Sequence, residues 1–369
     1  MNKNKAFRCL LFTPFLVAIL CLHFACKKDP TSPGFKDLAG GTAATPTPTS
    51  SSSTPTVSSH AFVKQWGTFG TAVGQFRYPH FVAVDDNLNV YVTDYGNGRV
   101  QSFTSEGVAV TQWSSDHPQG IAVDNGGNIA VAQESNDIIQ LTTANGVAGG
   151  SFPGFSDAVT WYSADPNPTE TPSVPVTHIC TWHSKGPVGL ALDDAGDQYF
   201  TASLVADTGD CHVLNDFSRE LFVDHISPHV ITSVWASDTS SSGDNSNLMG
   251  VALDHTGTYA YFVDSDNNYI IRVTIASSAF LTVGTSGSGN GQFRFPHGVA
   301  VDRSGNVYVA DSTNYRIQVL DKDLNYITQF GSEGTGSGQF ENPWGVTVDK
   351  NGYIYVVDAG NHRVEKFAP

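Results

Sequence analysis

Val82-Ala83-Val84-Asp85 is the stretch that decides the fold, because close copies of it recur along the chain. A Gly- or Asn-rich turn and a second short apolar run follow each copy. Successive copies place their aspartates 39, 69, 61, 48 and 47 residues apart. A repeated unit of about 40–50 residues with several short strands is typical of a β-propeller blade. The six copies are residues 82–85, 121–124, 190–193, 251–254, 299–302 and 346–349.

The spacing and the residue types together predict an all-β fold. Alternating Val, Ile, Tyr and Phe runs recur throughout, whereas helix-period patterns are absent. The two long steps, 69 and 61 residues, each fit one unit plus an insertion. We therefore expect a six-bladed β-propeller over residues 61–369.

The last unit lacks a fourth strand, because the chain stops at Pro369 soon after its third. The missing strand is at the other end of the chain: FVKQWG at residues 62–67 closely matches YITQFG at residues 326–331. We expect the first run to pair with residues 363–367 and to close the ring. Without it the last blade would expose unpaired backbone groups along an edge.

The repeated pattern identifies a family resemblance. FPHGVAVDRSGNVYVADSTNYRIQVL at residues 295–320 resembles an NHL repeat, and residues 78–103 and 342–367 match it nearly as well. Residues 118–141 also match, although Gln133 replaces the second aspartate. The resemblance implies a six-bladed propeller. It leaves function open, because propellers of this family are binding platforms, sensor domains and occasionally enzymes.

The first sixty residues read as an export signal and a tether. A basic start precedes an apolar run at residues 10–25, which suits a signal peptide over residues 1–26. Ala25-Cys26 resembles a bacterial lipoprotein signal, in which Cys26 is lipidated; an ordinary cleaved signal peptide is the alternative. Residues 27–60 are rich in Thr, Pro and Ser and are expected to be disordered. The expected location is the bacterial cell envelope, lipid-anchored or secreted.

The expected propeller is strongly acidic. Of the 19 Lys and Arg residues six precede residue 60, and of the 35 Asp and Glu residues two do, which leaves a net charge of −20. Such a surface repels phosphate backbones and argues against a nucleic-acid partner. The lipid anchor is the only membrane contact that the sequence suggests.

Two long insertions are expected on one face of the propeller. They are the connections at about residues 154–187 and 204–218, and they are rich in Trp, Tyr and His, including Trp182 and His183. They also hold Cys180 and Cys211, for which an exported protein favours a disulfide; two buried free thiols are the alternative.

Residues at the start of each inner strand are expected to ring the channel mouth on that same face. We take His80, His297, Trp344 and Gln119, with Trp182 and His183 from the insertions, as candidate ligand-binding residues. The six mouth positions are His80, Gln119, Val188, Met249, His297 and Trp344.

His80 and His297 share a Pro-His context that resembles the zinc-binding histidines of peptidyl-α-hydroxyglycine amidating lyase. That lyase uses three histidines, whereas the third equivalent position here is Val188, and His183 would have to fold inward to replace it. A catalytic zinc normally has three protein ligands. A zinc or calcium ion at His80 and His297 is therefore one reading, and two hydrogen-bonded channel histidines are the other.

The sequence favours a binding function and assigns no catalytic residue or cofactor. The first hypothesis is a non-catalytic binding or scaffold propeller that recognises a protein, peptide or glycan through the insertion-rich face. The alternative is a metal-dependent lyase or hydrolase centred on His80 and His297. A third reading is a rigid spacer.

Overall fold

The computed structural model describes residues 60–124, 127–133, 138–143, 148–153, 182–192, 198–206, 219–226, 229–237, 247–277 and 279–369. These described residues form 24 strands, which are arranged in six four-stranded antiparallel sheets. The all-β propeller fold predicted from the repeats is confirmed.

Each sheet takes four strands in order from the centre outwards. Sheet 1 contains β2 (Pro79–Val84), β3 (Val90–Asp94), β4 (Arg99–Phe103) and β5 (Ala109–Ser114). Sheet 2 contains β6 (Pro118–Val123), β7 (Asn128–Gln133), β8 (Ile138–Thr143) and β9 (Ala148–Pro153). Sheet 3 contains β10 (Trp182–Leu192), β11 (Gln198–Ala206), β12 (Arg219–Ile226) and β13 (His229–Ser237).

The remaining sheets follow the same plan until the last one. Sheet 4 contains β14 (Leu248–Leu253), β15 (Tyr259–Asp264), β16 (Tyr269–Thr274) and β17 (Ala279–Val283). Sheet 5 contains β18 (Pro296–Val301), β19 (Val307–Asp311), β20 (Arg316–Leu320) and β21 (Tyr326–Phe330). Sheet 6 contains β22 (Pro343–Val348), β23 (Ile354–Asp358), β24 (Arg363–Phe367) and, as its outer strand, β1 (Phe62–Trp66).

The N-terminal strand is part of the last sheet. β1 runs antiparallel to β24, with Phe62 opposite Phe367 and Trp66 opposite Val364. The inner strands contact one another in the cycle β2, β6, β10, β14, β18, β22 and back to β2. Gly345 shows how tightly this cycle packs, since a Cβ there would lie 2.6 Å from the carbonyl oxygen of His80. Sheet 6 is thus joined to sheet 1 both by backbone and by packing.

The core lies between neighbouring sheets. Between sheets 6 and 1, Tyr355 and Val364 pack with Phe76, Val92 and other residues that are buried. Burial of one such side chain is worth about 1.5–3 kcal/mol. A sheet therefore depends on both neighbours for its stability.

The repeated aspartates after the inner strands form turns, as their sequence context predicts. Asp85 accepts hydrogen bonds from the backbone N–H of Asn89 at 2.8 Å and from the hydroxyl of Tyr91 at 2.9 Å. Asp349 makes the same bonds to Tyr353 and Tyr355. Local backbone and side-chain partners thus account for these carboxylates.

In sheets 1, 5 and 6 a second aspartate of the repeat pairs with an arginine five residues later. The Arg Nε to carboxylate distances are 2.7 Å for Arg99–Asp94 and 2.8 Å for Arg316–Asp311, with both carboxylates buried. The guanidinium of Arg99 also donates to the carbonyl oxygens of Thr71, Ala72 and Gln75 in the loop before its sheet. These ion pairs therefore hold the loops of one face in place.

That face, called the loop face below, consists of residues 67–78, 95–98, 284–295, 312–315, 331–342 and 359–362. The opposite face, called the turn face, consists of residues 85–89, 104–108, 302–306, 321–325 and 349–353. In the structure β10 and β11 include residues 182–187 and 204–206, for which the sequence predicts connections. The strands of sheet 3 are thus longer than the equivalent strands of the other sheets.

Candidate functional site

Four aromatic side chains form a stacked column at the channel mouth. The ring of His80 lies between Tyr95 at 4.3 Å and Trp344 at 4.4 Å, with interplanar angles of 11° and 6°. The ring of His297 stacks on Trp344 at 3.9 Å and 27°. The order is therefore Tyr95, His80, Trp344, His297. The structure thus brings together His80, Trp344 and His297, as predicted from their register, and adds Tyr95, which sequence reasoning missed.

Hydrogen bonds fix both imidazoles of the column. His80 Nδ1 lies 2.8 Å from Gln119 Oε1, which only accepts, so this nitrogen donates. His297 Nδ1 lies 2.7 Å from Ser312 Oγ, whose own hydrogen goes to the carbonyl oxygen of Pro343 at 2.5 Å. His297 Nδ1 is therefore also the donor. Gln119 thus holds His80 in the column, and its predicted role in ligand binding stays a prediction.

Burial keeps His297 uncharged. Desolvation, followed by repulsion from His80, lowers the pKa of His297 from 6.5 to about 3. The ring is therefore a neutral stacking partner and hydrogen-bond donor near neutral pH. It does not supply a positive charge to a ligand.

Trp344 separates the two histidines that the sequence analysis considers as metal ligands. Two rings at 4.4 and 3.9 Å from one indole lie on its opposite faces, since one face has no room for both. One ion shared by His80 and His297 would require the indole to leave this position. In the described part of the chain, no three His, Cys, Asp or Glu side chains are grouped to hold a metal. The metal site at these histidines stays a prediction.

The channel begins directly behind the mouth. It is a cavity of about 180 Å³ lined by all six inner strands, from Phe81 in β2 to Val348 in β22. Val188 and Met249 at the mouth belong to the apolar packing around Trp344. Both faces of the indole are covered, so a ligand at the mouth meets the edges of the column.

A second group of aromatic residues lies on the loop face where sheets 6 and 1 meet. The ring of His362 is 5.0 Å from both Phe69 and Tyr78, and the guanidinium of Arg77 lies 5.4 Å over Phe69. Phe69 and Tyr78 are 57% and 58% exposed. We call these four residues the aromatic seam. Sequence reasoning missed it, because it combines residues almost 300 positions apart.

Several candidate residues lie where the structure does not describe them fully. Trp182 and His183 begin β10, opposite Ala206 and Val205 of β11, but their side chains are outside the description. Cys26, Cys180 and Cys211 lie outside the described residues. The lipidation, the disulfide and the ligand roles of Trp182 and His183 therefore stay predictions.

The sequence profile of the NHL repeat matches residues 76–103, 293–320 and 340–367, which cover the inner three strands of sheets 1, 5 and 6. This chain carries NHL repeats. It is 42% identical over 66 residues to human NHL repeat-containing protein 3, a match that covers 17% of this chain and 19% of that protein. The chain spans about a fifth or less of the length of the curated relatives it matches.

Solved propellers share the fold at low sequence identity. A gluconolactonase from Xanthomonas campestris superposes with a TM-score of 0.54 at 14% identity, over 80% of this chain and 87% of that one. A calcium-binding regucalcin from Agrobacterium tumefaciens superposes with a TM-score of 0.52 at 11% identity, over 82% and 94%. At these identities the likeness shows the fold alone.

Proposed function

We propose that this chain is a non-catalytic binding protein whose loop face recognises a protein, peptide or glycan. The observation that carries the proposal is the aromatic seam, where two large rings remain exposed on loops held by buried ion pairs. Rigid aromatic surface provides contact area at little entropic cost. The loop face therefore has the properties of a preformed recognition surface.

The architecture proposed with this function is a six-bladed ring that β1 closes on β24. The cyclic packing of the inner strands and the β1–β24 register support it. Closure pairs the edge of β24 at the junction and gives the loop face a fixed shape. Rigidity of this kind lowers the cost of ligand binding.

We further propose export to the bacterial cell envelope, with Cys26 as the lipid-bearing residue or with release after signal cleavage. The composition of residues 1–60 supports this location. Among the described residues, no helix has the length and apolar character to cross a bilayer. Mass spectrometry of the mature N terminus tests the proposal: a diacylated Cys26 supports anchoring, and an unmodified start elsewhere contradicts it.

The binding function is tested by retention of purified cell-envelope material on the immobilised protein. Replacement of Phe69 by Ser should remove one of the two exposed rings of the aromatic seam and reduce retention at least several-fold. Replacement of the exposed Lys322 on the turn face is the matched control and should change nothing. Equal retention by wild type and Phe69→Ser, with both folded, would count against the loop face.

The same preparations also test the enzyme alternative, a metal-dependent lyase or hydrolase with zinc or calcium at His80 and His297. Its test is metal content after incubation with excess ion. Stoichiometric metal that disappears in a His80→Ala, His297→Ala double variant would favour the enzyme. If neither wild type nor the double variant contains metal, the binding function stands.

A further inference from the structure

The aromatic seam has features that folding of its loops does not require. Three loops on this face share one scaffold, in which Gly70, Gly287 and Gly334 each donate a backbone N–H to Phe76, Phe293 and Phe340. The same short parallel bridge joins residues 69 and 76, 286 and 293, and 333 and 340. Phe69 thus holds a position that Ser286 and Glu333 fill equally well. The loop scaffold therefore does not require a phenyl ring at this position.

His362 also has a simpler structural equivalent in the same chain. Its Nδ1 accepts the backbone N–H of Tyr78 at 3.2 Å, and Asn268 Oδ1 accepts the corresponding N–H of Phe295 at 2.8 Å. An asparagine would therefore satisfy the backbone. The imidazole adds a ring between Phe69 and Tyr78 and, in its neutral form, an N–H on Nε2.

The left-handed backbone at the seam belongs to the repeated scaffold. Tyr78 and His362 have φ angles of 48° and 56°, and Phe295 and Tyr315 at the equivalent positions of sheet 5 have 47° and 56°. Smaller residues also occupy the position of His362, namely Gly98 in sheet 1 and Asn268 in sheet 4. The scaffold therefore does not require an imidazole at residue 362.

Arg77 and His362 supply donors beside these rings, and the carboxylate of Glu341 is close enough to act on the His362 ring. The guanidinium of Arg77 over Phe69 has no ion-pair partner among the described residues. Because Nδ1 of His362 accepts from Tyr78, the neutral ring directs its N–H from Nε2. Donors beside two aromatic rings that are each more than half exposed match a pyranose, which has an apolar C–H face and a rim of hydroxyl oxygens. Two exposed rings are far less than the ~800 Å² that each partner of a stable protein interface buries.

We propose that the aromatic seam, formed by Phe69, Arg77, Tyr78 and His362 between sheets 6 and 1, is a binding site for one or two sugar rings of an oligosaccharide. The inference rests on the proposed binding function and names the ligand class for it. The aromatic faces stack on the sugar, and Arg77 and His362 donate to its hydroxyl groups. Sugar binding at the seam does not require the aromatic column at the channel mouth.

The chain itself supplies the test variants. Phe69→Ser copies Ser286, His362→Asn copies Asn268, and Tyr78→Phe copies Phe295, so each replacement already occurs on the same scaffold. Thermal unfolding should stay within a few degrees of wild type in all three. Binding is measured by calorimetry with cellohexaose, maltohexaose, chitohexaose and hexagalacturonate.

We expect at least one hexasaccharide to bind wild type, with Phe69→Ser and His362→Asn each weakening it about tenfold, which corresponds to the loss of one stacked ring. Tyr78→Phe keeps its ring and should change affinity less than about threefold. Absence of binding by all four sugars, or equal affinity in Phe69→Ser and His362→Asn, overturns the proposal.

Failure of this proposal is distinguishable from failure of the binding function. If no sugar binds but cell-envelope material is still retained through the loop face, the ligand is not carbohydrate and the binding function stands. If retention is also insensitive to loop-face replacements, both fail. A proline-rich peptide as a fifth probe separates a peptide groove from a sugar site, since its binding alone overturns the carbohydrate assignment.

Discussion

Glu365 is a buried carboxyl group at a position where other repeats carry glutamine. In sheet 5 the amide of Gln318 donates to the carbonyl oxygen of Gln292 at 2.6 Å and to Asp311 at 3.0 Å, while its oxygen accepts from Gly291. Gln101 makes the equivalent bonds in sheet 1. The amide therefore serves as donor and acceptor at once.

Glu365 can reproduce this pattern only when it is protonated. Its Oε2 accepts from the backbone N–H of Gly338 at 2.9 Å, whereas Oε1 lies 2.5 Å from Nη2 of Arg363 but lacks the geometry of a hydrogen bond. Burial, with Asp358 adding repulsion against the attraction of Arg363, raises the pKa of Glu365 from 4.5 to about 7. A carboxylic acid can donate as the glutamine amide does, and a carboxylate cannot.

The sign of the pH effect follows from the raised pKa. The contribution of Glu365 to stability is complete below about pH 4.5 and is lost as pH rises through about 7. A rise from 4.5 to about 7 corresponds to about 3 kcal/mol, at ~1.4 kcal/mol per pH unit. We therefore expect Glu365→Gln to stabilise the protein by ~1–3 kcal/mol at pH 8 and by little at pH 5.

The assay is urea unfolding at pH 5 and pH 8. The matched control is Gln318→Glu, which places the same carboxyl group in sheet 5 and should destabilise more at pH 8 than at pH 5. The difference in unfolding free energy between wild type and Glu365→Gln isolates the effect of this carboxyl group, because the histidines that titrate in the same range are present in both proteins. If the free energy of unfolding changes between pH 5 and pH 8 by the same amount in wild type and in Glu365→Gln, the reasoning is refuted.

Three further predictions concern pH, closure and the buried ion pairs. His297→Gln should reduce the loss of stability below pH 6.5, because a lowered histidine pKa destabilises the fold as pH falls; matching acid unfolding curves would contradict this. Deletion of residues 61–67 should abolish cooperative urea unfolding, and an unchanged transition would argue against closure by β1. Arg316→Ala should cost ~3–5 kcal/mol in chemical unfolding, since it leaves Asp311 buried and unpaired, whereas exposed Arg303→Ala should cost under ~0.5; equal costs would contradict the burial argument.

The fold was predictable because the repeats impose it. Six copies of one apolar run set the number of inner strands, and the match between residues 62–67 and 326–331 located the strand that pairs with β24. Local turn chemistry also explained the aspartates and arginines. Each of these inferences depends on period and register, which a sequence displays directly.

The candidate site was predictable only in part. Register placed His80, His297 and Trp344 at one mouth, but the stacking order depends on rotamers and on spacing between sheets, so the indole between the imidazoles could not be foreseen. The aromatic seam was missed for a related reason. Phe69 and His362 meet only because the ring brings the last sheet against the first.

The route of the chain at its ends has a practical consequence. β1 starts and β24 finishes on the turn face, where His60 bonds to the carbonyl oxygen of Ala368 at 3.2 Å and Pro369 lies beside Gly352. A resin, dye or fusion partner joined ahead of residue 60 or after Pro369 is therefore attached on the turn face. Copies held by either end present the loop face outward, and surface-based binding measurements can use both orientations without shielding it.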